Sequence, residues 1–492
     1  MPAPTPEQEA ATAAFRRGDH LVLQAGAGTG KTTTLTMLAS STPRDGLYMA
    51  FNRSIAHAAR RAFPSSVECR TAHGLAYKAI GHRYSRRMDT ARTPSWKVGA
   101  ELGITANMVV YIGERKVTNK ALSSTALHTV TRYCQSSDRE ILPQHVPRLR
   151  GLEADHLHAQ LIDVVLPYAR KAWADLQNPH EGVVRFGHDH YLKMWALTDP
   201  KLPTDFLLLD EAQDTNAVVE KVFNDQRGHA QLVMVGDSAQ AIYGWRGARD
   251  VMSDFNGTRL GLSQSFRFGA ALAREANRWL NIVDAPIRLT GNPALVSELE
   301  TVERPDAILC RTNFGAMSEV MALLEAGKRV ALVGGGDALA KIATAAQALK
   351  EGKRSWHREL MLFESWGDLQ DYAEYDPAGR DLLPLVELVD EHGTDVLLGA
   401  LSRLSEERAA EIVVSTAHKA KGREWANVRI GADFIETEPE DEEGDDGQLY
   451  WGEIDAAEAR LAYVAVTRAR HRLDVGGLSW IDEHPDGRLP QT

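Results

Sequence analysis

Cysteine is scarce in this chain. Cys69, Cys134 and Cys310 are its three thiols, far apart and without CxxC spacing. That excludes a disulfide framework and argues against a structural zinc site or iron–sulfur cluster, leaving buried, reduced thiols as the expectation. No apolar run approaches the roughly 18 residues that a membrane-spanning helix needs. The opening MPAPTPEQEA lacks the basic start and apolar stretch of a secretion signal, so a cytoplasmic location is expected. No repeat of solenoid length occurs. Net positive charge is missing as well: 56 basic against 67 acidic residues give a formal charge of -11. An acidic total does not exclude a local basic groove, because part of the acidity sits in one run, ETEPEDEEGDD at 436–446, expected to be a solvated loop.

What is present fits a globular protein of two to four domains: 492 residues, 43% hydrophobic and 25% charged. Short, continuous apolar runs predict buried parallel strands at 21–24, 46–51, 206–209 and 232–235, then at 307–310, 330–333, 412–415 and 428–430. Turn-rich or helical stretches follow each run, the pattern of open, doubly wound α/β sheets. Two α/β domains are therefore expected, at 1–80 with 195–258 and at 259–336 with 411–492. Helical insertions are expected at 81–194, from helical spacing at 126–137 and 156–178, and in smaller form at 337–410.

Residues 21–34, LVLQAGAGTGKTTT, run from a strand through a glycine-rich loop into a helix. This is a phosphate-binding loop in its expected context. Gly26, Gly28 and Gly30 let backbone N–H groups approach phosphate oxygens, Lys31 reaches the β and γ phosphates, and the Thr32 hydroxyl ligates Mg²⁺. Ala25 stands where the strict pattern has glycine. A second buried strand ends FLLLDEAQD at 206–214, which sets Asp210 to hold Mg²⁺ opposite Thr32 and leaves Glu211 as general base toward the attacking water. Either acid alone could be a solvated strand cap; with the loop upstream, the catalytic reading is the stronger. The triplet His188-Asp189-His190 has no partner spacing for a metal and reads as structural.

With these two motifs in place, the chain resembles the UvrD/Rep family of superfamily 1 DNA helicases, from Gln8 to Arg470, and within it the F-box DNA helicase branch. The segments that carry the resemblance are TPEQ at 5–8, AFNRSIA at 50–56, TAHGL at 71–75, VGDSAQAIYGWRGA at 235–248, LSQSFR at 262–267, STAHKAKGRE at 415–424 and VAVTRA at 464–469. The resemblance implies two RecA-like motor domains that hydrolyse ATP with Mg²⁺ and walk 3′ to 5′ on single-stranded DNA, acting at single-strand/duplex junctions. It implies further that Gln8 reads adenine, Phe266 stacks on it, Thr33 lies in the nucleotide site and Glu424 takes a ribose hydroxyl. Gln240 and Arg267 would meet the γ-phosphate, and Arg468 would be the arginine finger. Phe51, Asn52, His73, Tyr243, Trp245, Thr416 and His418 would meet DNA, with Arg246 linking the two sites. A monomer associated with the nucleoid is the matching expectation. Thr33 stands where many relatives carry arginine, and the second insertion is short. A motor that strips proteins from DNA, or a P-loop switch that does not translocate, remains the alternative.

Overall fold

The computed structural model describes residues 3–88, 93, 95–149, 152, 154–243, 248–353, 355, 357, 360, 363, 365–375, 382–434, 436–437, 439–443 and 449–488. The chain divides into two compact units. One comprises Met1–Ala25 and Lys31–Leu262, the other Gly26–Gly30 and Ser263–Thr492.

The first unit is built on six parallel strands: β1 (Leu21–Ala25), β2 (Gly46–Ala50), β3 (Val67–Thr71), β4 (Phe206–Leu209), β5 (Gln231–Gly236) and β6 (Thr258–Leu262), in the order β6-β1-β5-β4-β2-β3. Alternate residues of a strand face opposite sides of its sheet. Here both sides are covered. Leu21, Leu23, Tyr48, Phe206, Leu208 and Val233 enter one apolar core with Phe15 and Leu38, whereas Val22, Leu47, Met49, Leu207, Leu209 and Leu232 enter another. Burial on two faces is what makes these segments read as unbroken apolar runs. Helix Pro6–Arg17 packs on the first face. Thr5 caps its start, proline opens its first turn and Gly18, at φ +91°, ends it.

Between β3 and β4 lies the long insertion. Its main helices are Asn119–Gln135 and Asp155–Leu176. The first begins earlier than the expected 126 because the Thr118 hydroxyl caps it through the Ala121 N–H. The sequence predicts a helical insertion here, but the structure also places a hairpin in it: Val109–Ile112 and Arg115–Thr118 pair antiparallel. Its strands are four residues each, too short for a periodicity to register, and Gly113 at φ +57° lets the chain reverse.

The second unit carries β7 (Glu298–Leu299), β8 (Ala307–Cys310), β9 (Val330–Leu332), β10 (Ile412–Thr416), β11 (Trp425–Ile430) and β12 (Ala469–Asp474). All are parallel, in the order β7-β12-β11-β8-β10-β9. Helices Asp337–Lys350, Trp366–Tyr375, Leu383–His392 and Thr394–Ser402 form the insertion between β9 and β10, and share one apolar core with Ile308, Val330 and Val414. The acidic run differs in part from the solvated loop expected: Pro439–Glu443 pairs antiparallel with Leu449–Trp451, a segment whose two aromatic residue types favour strands. The α/β class with two RecA-like sheets is thus observed. Among the described residues no helix is long and apolar enough to cross a membrane.

Candidate nucleotide and nucleic-acid site

In the first unit, helix Lys31–Ser40 starts directly after the glycine-rich loop, and Asp210 directly follows β4. The Thr32 hydroxyl donates to the Asp210 carboxylate at 3.3 Å, and the Tyr48 hydroxyl donates to the same oxygen at 2.5 Å. Asp210 is buried. Desolvation, then repulsion from Glu211, pushes its carboxyl up to about 6, against the pull of the Tyr48 hydroxyl and Lys31. Burial and the same carboxylate push the Tyr48 phenol well above its ordinary range. Tyr48 therefore stays a hydrogen-bond donor.

Glu211 adopts φ +53°, a left-handed backbone rare for a residue with a side chain. Such a conformation costs about 1–3 kcal/mol and persists where surrounding structure holds it. The Asp214 N–H on the Glu211 carbonyl (2.9 Å) and the Gln213 amide on the Glu211 carboxylate (2.6 Å) do so here. The other end of the Gln213 amide accepts the Asp237 N–H at 3.0 Å, and Gln240 donates to the Asp237 carboxylate at 2.7 Å. One chain of polar contacts thus joins the ends of β4 and β5.

Gly26–Gly30 belongs to the second unit, where the segments following β6 and the helix before β12 hold it. Gly28 has φ +74°, and its carbonyl accepts the Phe266 N–H at 2.8 Å. A Cβ on Gly28 would come within 2.6 Å of the Ser265 hydroxyl and 2.7 Å of the Arg267 Cβ, so only glycine fits. The Ala27 N–H donates to the Tyr463 hydroxyl at 3.0 Å. Arg267, beside this loop, donates to the Glu424 carboxylate at 2.7 Å and to the Thr467 carbonyl at 2.9 Å.

Arg468 is 1% exposed. Its guanidinium donates to the Val464 carbonyl (2.8 Å), the Arg423 carbonyl (3.3 Å) and the Thr467 hydroxyl (2.8 Å), so in this structure it secures the turn between helix Ala456–Val466 and β12. Gln8 is similarly engaged. Its amide oxygen accepts the Thr5 N–H at 3.1 Å and its amide nitrogen donates to the Thr34 hydroxyl at 3.0 Å, tying the first helix to the one behind the loop. Thr33 is exposed on the first turn of that helix.

A cleft of about 1390 Å³ opens on the first unit, lined by Phe51, Arg53, Arg60, Arg70, His73 and Tyr77 among others. Phe51 is 46% exposed and lies parallel to Tyr243, with ring centroids 6.4 Å apart. Asn52 and Thr71 each cap the helix that follows their strand, through the Ile55 and Gly74 N–H groups at 2.9 and 3.0 Å. Both caps sit on the cleft wall, so two positive helix ends face it. His73 pairs with Asp189 at 3.0 Å. His190 accepts the Gly187 N–H at 2.9 Å, and burial holds its imidazole down at about 4. His188 pairs with the Tyr191 hydroxyl at 3.0 Å, so each member of the 188–190 triplet has a hydrogen-bond partner. Among the described residues no group of three or more His, Cys, Asp or Glu is placed to hold a metal ion. In the second unit Thr416 caps helix Ala417–Ala420, which carries His418, through the Lys419 N–H at 3.3 Å. Trp245 and Arg246 lie outside the described residues.

Sequence reasoning missed Tyr48, Gln213, Ser265 and Tyr463. Tyr48 and Tyr463 sit inside apolar stretches and read as core. A hydroxyl inside a buried strand (Tyr48) or helix (Tyr463) that must find a partner was the available signal.

A phosphate-binding loop, a paired acid at the next strand end and two parallel α/β sheets define a P-loop nucleotide hydrolase of the two-sheet kind. Residues 8–246 match the model of the AAA domain, and residues 340–478 match that of the UvrD-like helicase C-terminal domain. Over these two regions the chain is similar to the UvrD-like helicases. It is 30% identical over 502 residues to F-box DNA helicase protein 1 of Schizosaccharomyces pombe, covering 93% of this chain and 55% of that protein. It is 28% identical over 491 residues to F-box DNA helicase 1 of Gallus gallus, covering 93% and 47%. A shorter stretch, 77 residues at 38% identity, matches DNA helicase II of Haemophilus influenzae, covering 14% of this chain and 11% of that one. The chain thus spans about half the length of the F-box relatives it matches.

Proposed function

We propose that this chain is an ATP-hydrolysing DNA helicase that moves 3′ to 5′ along single-stranded DNA and works at single-strand/duplex junctions as a single chain. The observation that carries the reading is the Thr32 hydroxyl 3.3 Å from the buried Asp210 carboxylate, at the start of the helix that follows a glycine-rich loop. These are hard oxygen donors of the kind Mg²⁺ takes, and a carboxylate this poorly solvated gains from a cation. Bound there, Mg²⁺ would offset charge on the phosphate oxygens.

The remaining chemistry belongs to the chain's own residues. Backbone N–H groups of the loop and Lys31 hold the phosphates. Glu211, kept in its unusual backbone conformation, receives the proton of the attacking water. Gln240 reports on the γ-phosphate through Asp237 and the Gln213 link. Arg267, which lies against Gly28, offers the guanidinium charge that phosphoryl transfer requires. The cleft walled by Phe51, three arginines and two capped helix ends suits a single strand gripped without regard to sequence, by stacking and by phosphate contacts. The F-box relatives, named as DNA helicases, support DNA as the track.

ATP hydrolysis measured with and without single-stranded DNA, followed by strand displacement on 3′-tailed and 5′-tailed duplexes, tests the reading. Several-fold stimulation and displacement from the 3′ tail are expected, and Lys31→Ala should abolish both. Hydrolysis indifferent to DNA would overturn it.

A further inference from the structure

Strand β2 meets β4 in parallel register, with Tyr48 opposite Leu208 and Met49 opposite Leu209. Phe206 and Leu208 face the core that also holds Tyr48, and the same alternation sends Asp210 to that side. Tyr48 is fully buried there, its ring centroid 4.7 Å from that of Phe63. Strand β2 thus holds Asp210 twice. The Asp210 N–H donates to the Met49 carbonyl at 3.2 Å, and the Tyr48 hydroxyl donates to the Asp210 carboxylate at 2.5 Å.

Both oxygens of that carboxylate are engaged. Oδ1 accepts the Glu211 N–H at 2.9 Å, and Oδ2 accepts the Tyr48 hydroxyl and, at 3.3 Å, the Thr32 hydroxyl. The two hydroxyls differ in place and strength. Thr32 is exposed on the first turn of its helix, so its long contact is the one a cation arriving from solvent would take over. Tyr48 approaches from the dry core, and between a phenol and a carboxylate only the phenol has a proton to give. A buried phenol needs an acceptor, and a backbone carbonyl would serve. Here the acceptor is the acid that faces Thr32, at the short distance of a charge-assisted bond.

We infer that Tyr48 is a positioning residue: it locks the Asp210 carboxylate in one orientation and so makes the site prefer Mg²⁺ to the larger Ca²⁺. The inference rests on the reading of Thr32 and Asp210 as the Mg²⁺ site and deepens it. Mg²⁺ demands a near-ideal octahedral arrangement, whereas Ca²⁺ accepts more oxygens in a looser one. A carboxylate that cannot turn suits the first ion. One free to turn, or to chelate through both oxygens, favours the second. Partners that stand behind a metal ligand commonly change metal affinity by about tenfold or more.

The test is binding of a fluorescent ADP to the full chain, titrated with Mg²⁺, with Ca²⁺ or with neither, for the wild type, Tyr48→Phe, Asp210→Asn and the double variant. Tyr48→Phe should need roughly tenfold more Mg²⁺ but less than about threefold more Ca²⁺, while its affinity for ADP without metal stays within about twofold of the wild type. Asp210→Asn keeps an acceptor for Tyr48 without the charge. It should lose the preference for Mg²⁺, and in its background Tyr48→Phe should add less than about twofold. Tyr48→Met fills most of the same core space without a hydroxyl and should behave as Tyr48→Phe does, so the result does not depend on one variant folding. Equal losses for the two metals, an equal loss without metal, or an undiminished effect of Tyr48→Phe beside Asp210→Asn would overturn the inference. A wild type that responds to Mg²⁺ while Tyr48→Phe matches it would overturn the inference alone. A wild type whose ADP affinity ignores Mg²⁺ would overturn the metal reading as well.

Discussion

The Tyr463 hydroxyl accepts the Ala27 N–H at 3.0 Å, joining a phenol from the helix Ala456–Val466 to the backbone of the phosphate loop 436 residues earlier in the chain. Both residues are fully buried, so neither group has water as an alternative. Removing the hydroxyl leaves a buried N–H without its acceptor, a loss of about 1–3 kcal/mol. Tyr463→Phe should therefore lower stability by that amount in urea titrations. It should also raise KM for ATP by roughly threefold to tenfold, with a smaller change in kcat, because the loop and not the chemistry is loosened. An unchanged KM would remove Tyr463 from the nucleotide site.

Asp210 and Glu211 should exchange stability for function. Asp210 is buried beside a second carboxylate, and Asp210→Asn removes that repulsion while keeping an acceptor for Tyr48. The nucleotide-free variant should be more stable by about 1–3 kcal/mol at pH 8, seen as a higher Tm. Its Mg²⁺-dependent hydrolysis should fall at least a hundredfold. A variant that loses both stability and activity would show that the carboxylate serves packing instead.

Phe51 should matter to DNA and little to folding, since it is 46% exposed. Phe51→Ala should raise the single-stranded DNA concentration for half-maximal ATPase stimulation by about tenfold, the range expected for one lost stacking contact. Thermal unfolding should shift by less than 2 °C, roughly the effect of an ordinary surface change. Wild-type stimulation curves would rule out stacking at this position.

His190 predicts an acid-sensitive insertion. Burial holds its imidazole at about 4, below the ordinary 6.5, so the folded state takes up its proton later than the unfolded chain. Stability from the neutral ring is present above pH 6.5 and is lost as pH falls toward 4, by up to about 3 kcal/mol. His190→Gln, which keeps an acceptor for the Gly187 N–H, should flatten that part of the profile in denaturant titrations. An unaltered slope between pH 6.5 and 4 would assign the acid sensitivity elsewhere.

The central strands were legible because burial on both faces writes an unbroken apolar run: Phe206–Leu209 and Ala307–Cys310 read the same from sequence and from structure. Strands β3, β6, β7 and β12 were not. Val67–Thr71 and Thr258–Leu262 lie at sheet edges and are only partly buried, Glu298–Leu299 is a two-residue edge strand with both residues exposed, and Ala469–Asp474 is flanked on one side by that short strand. Their polar residues hide the pattern. The hairpin at 109–118 escaped for the opposite reason, being too short to show any period.

The sequence by itself determined the two parallel sheets, the phosphate loop and the acids at the end of β4, because each depends on residues near one another in the chain. Backbone conformation and periodicity are local properties, and glycine spacing or an apolar run records them directly. Only the tertiary structure decided what the polar side chains touch. It assigned Gln8 to Thr34, Glu424 to Arg267 and Tyr463 to Ala27. Hydrogen bonds across 26 to 436 residues follow from where the chain brings donors and acceptors together in a dry interior, and nothing in the neighbouring letters encodes that distance.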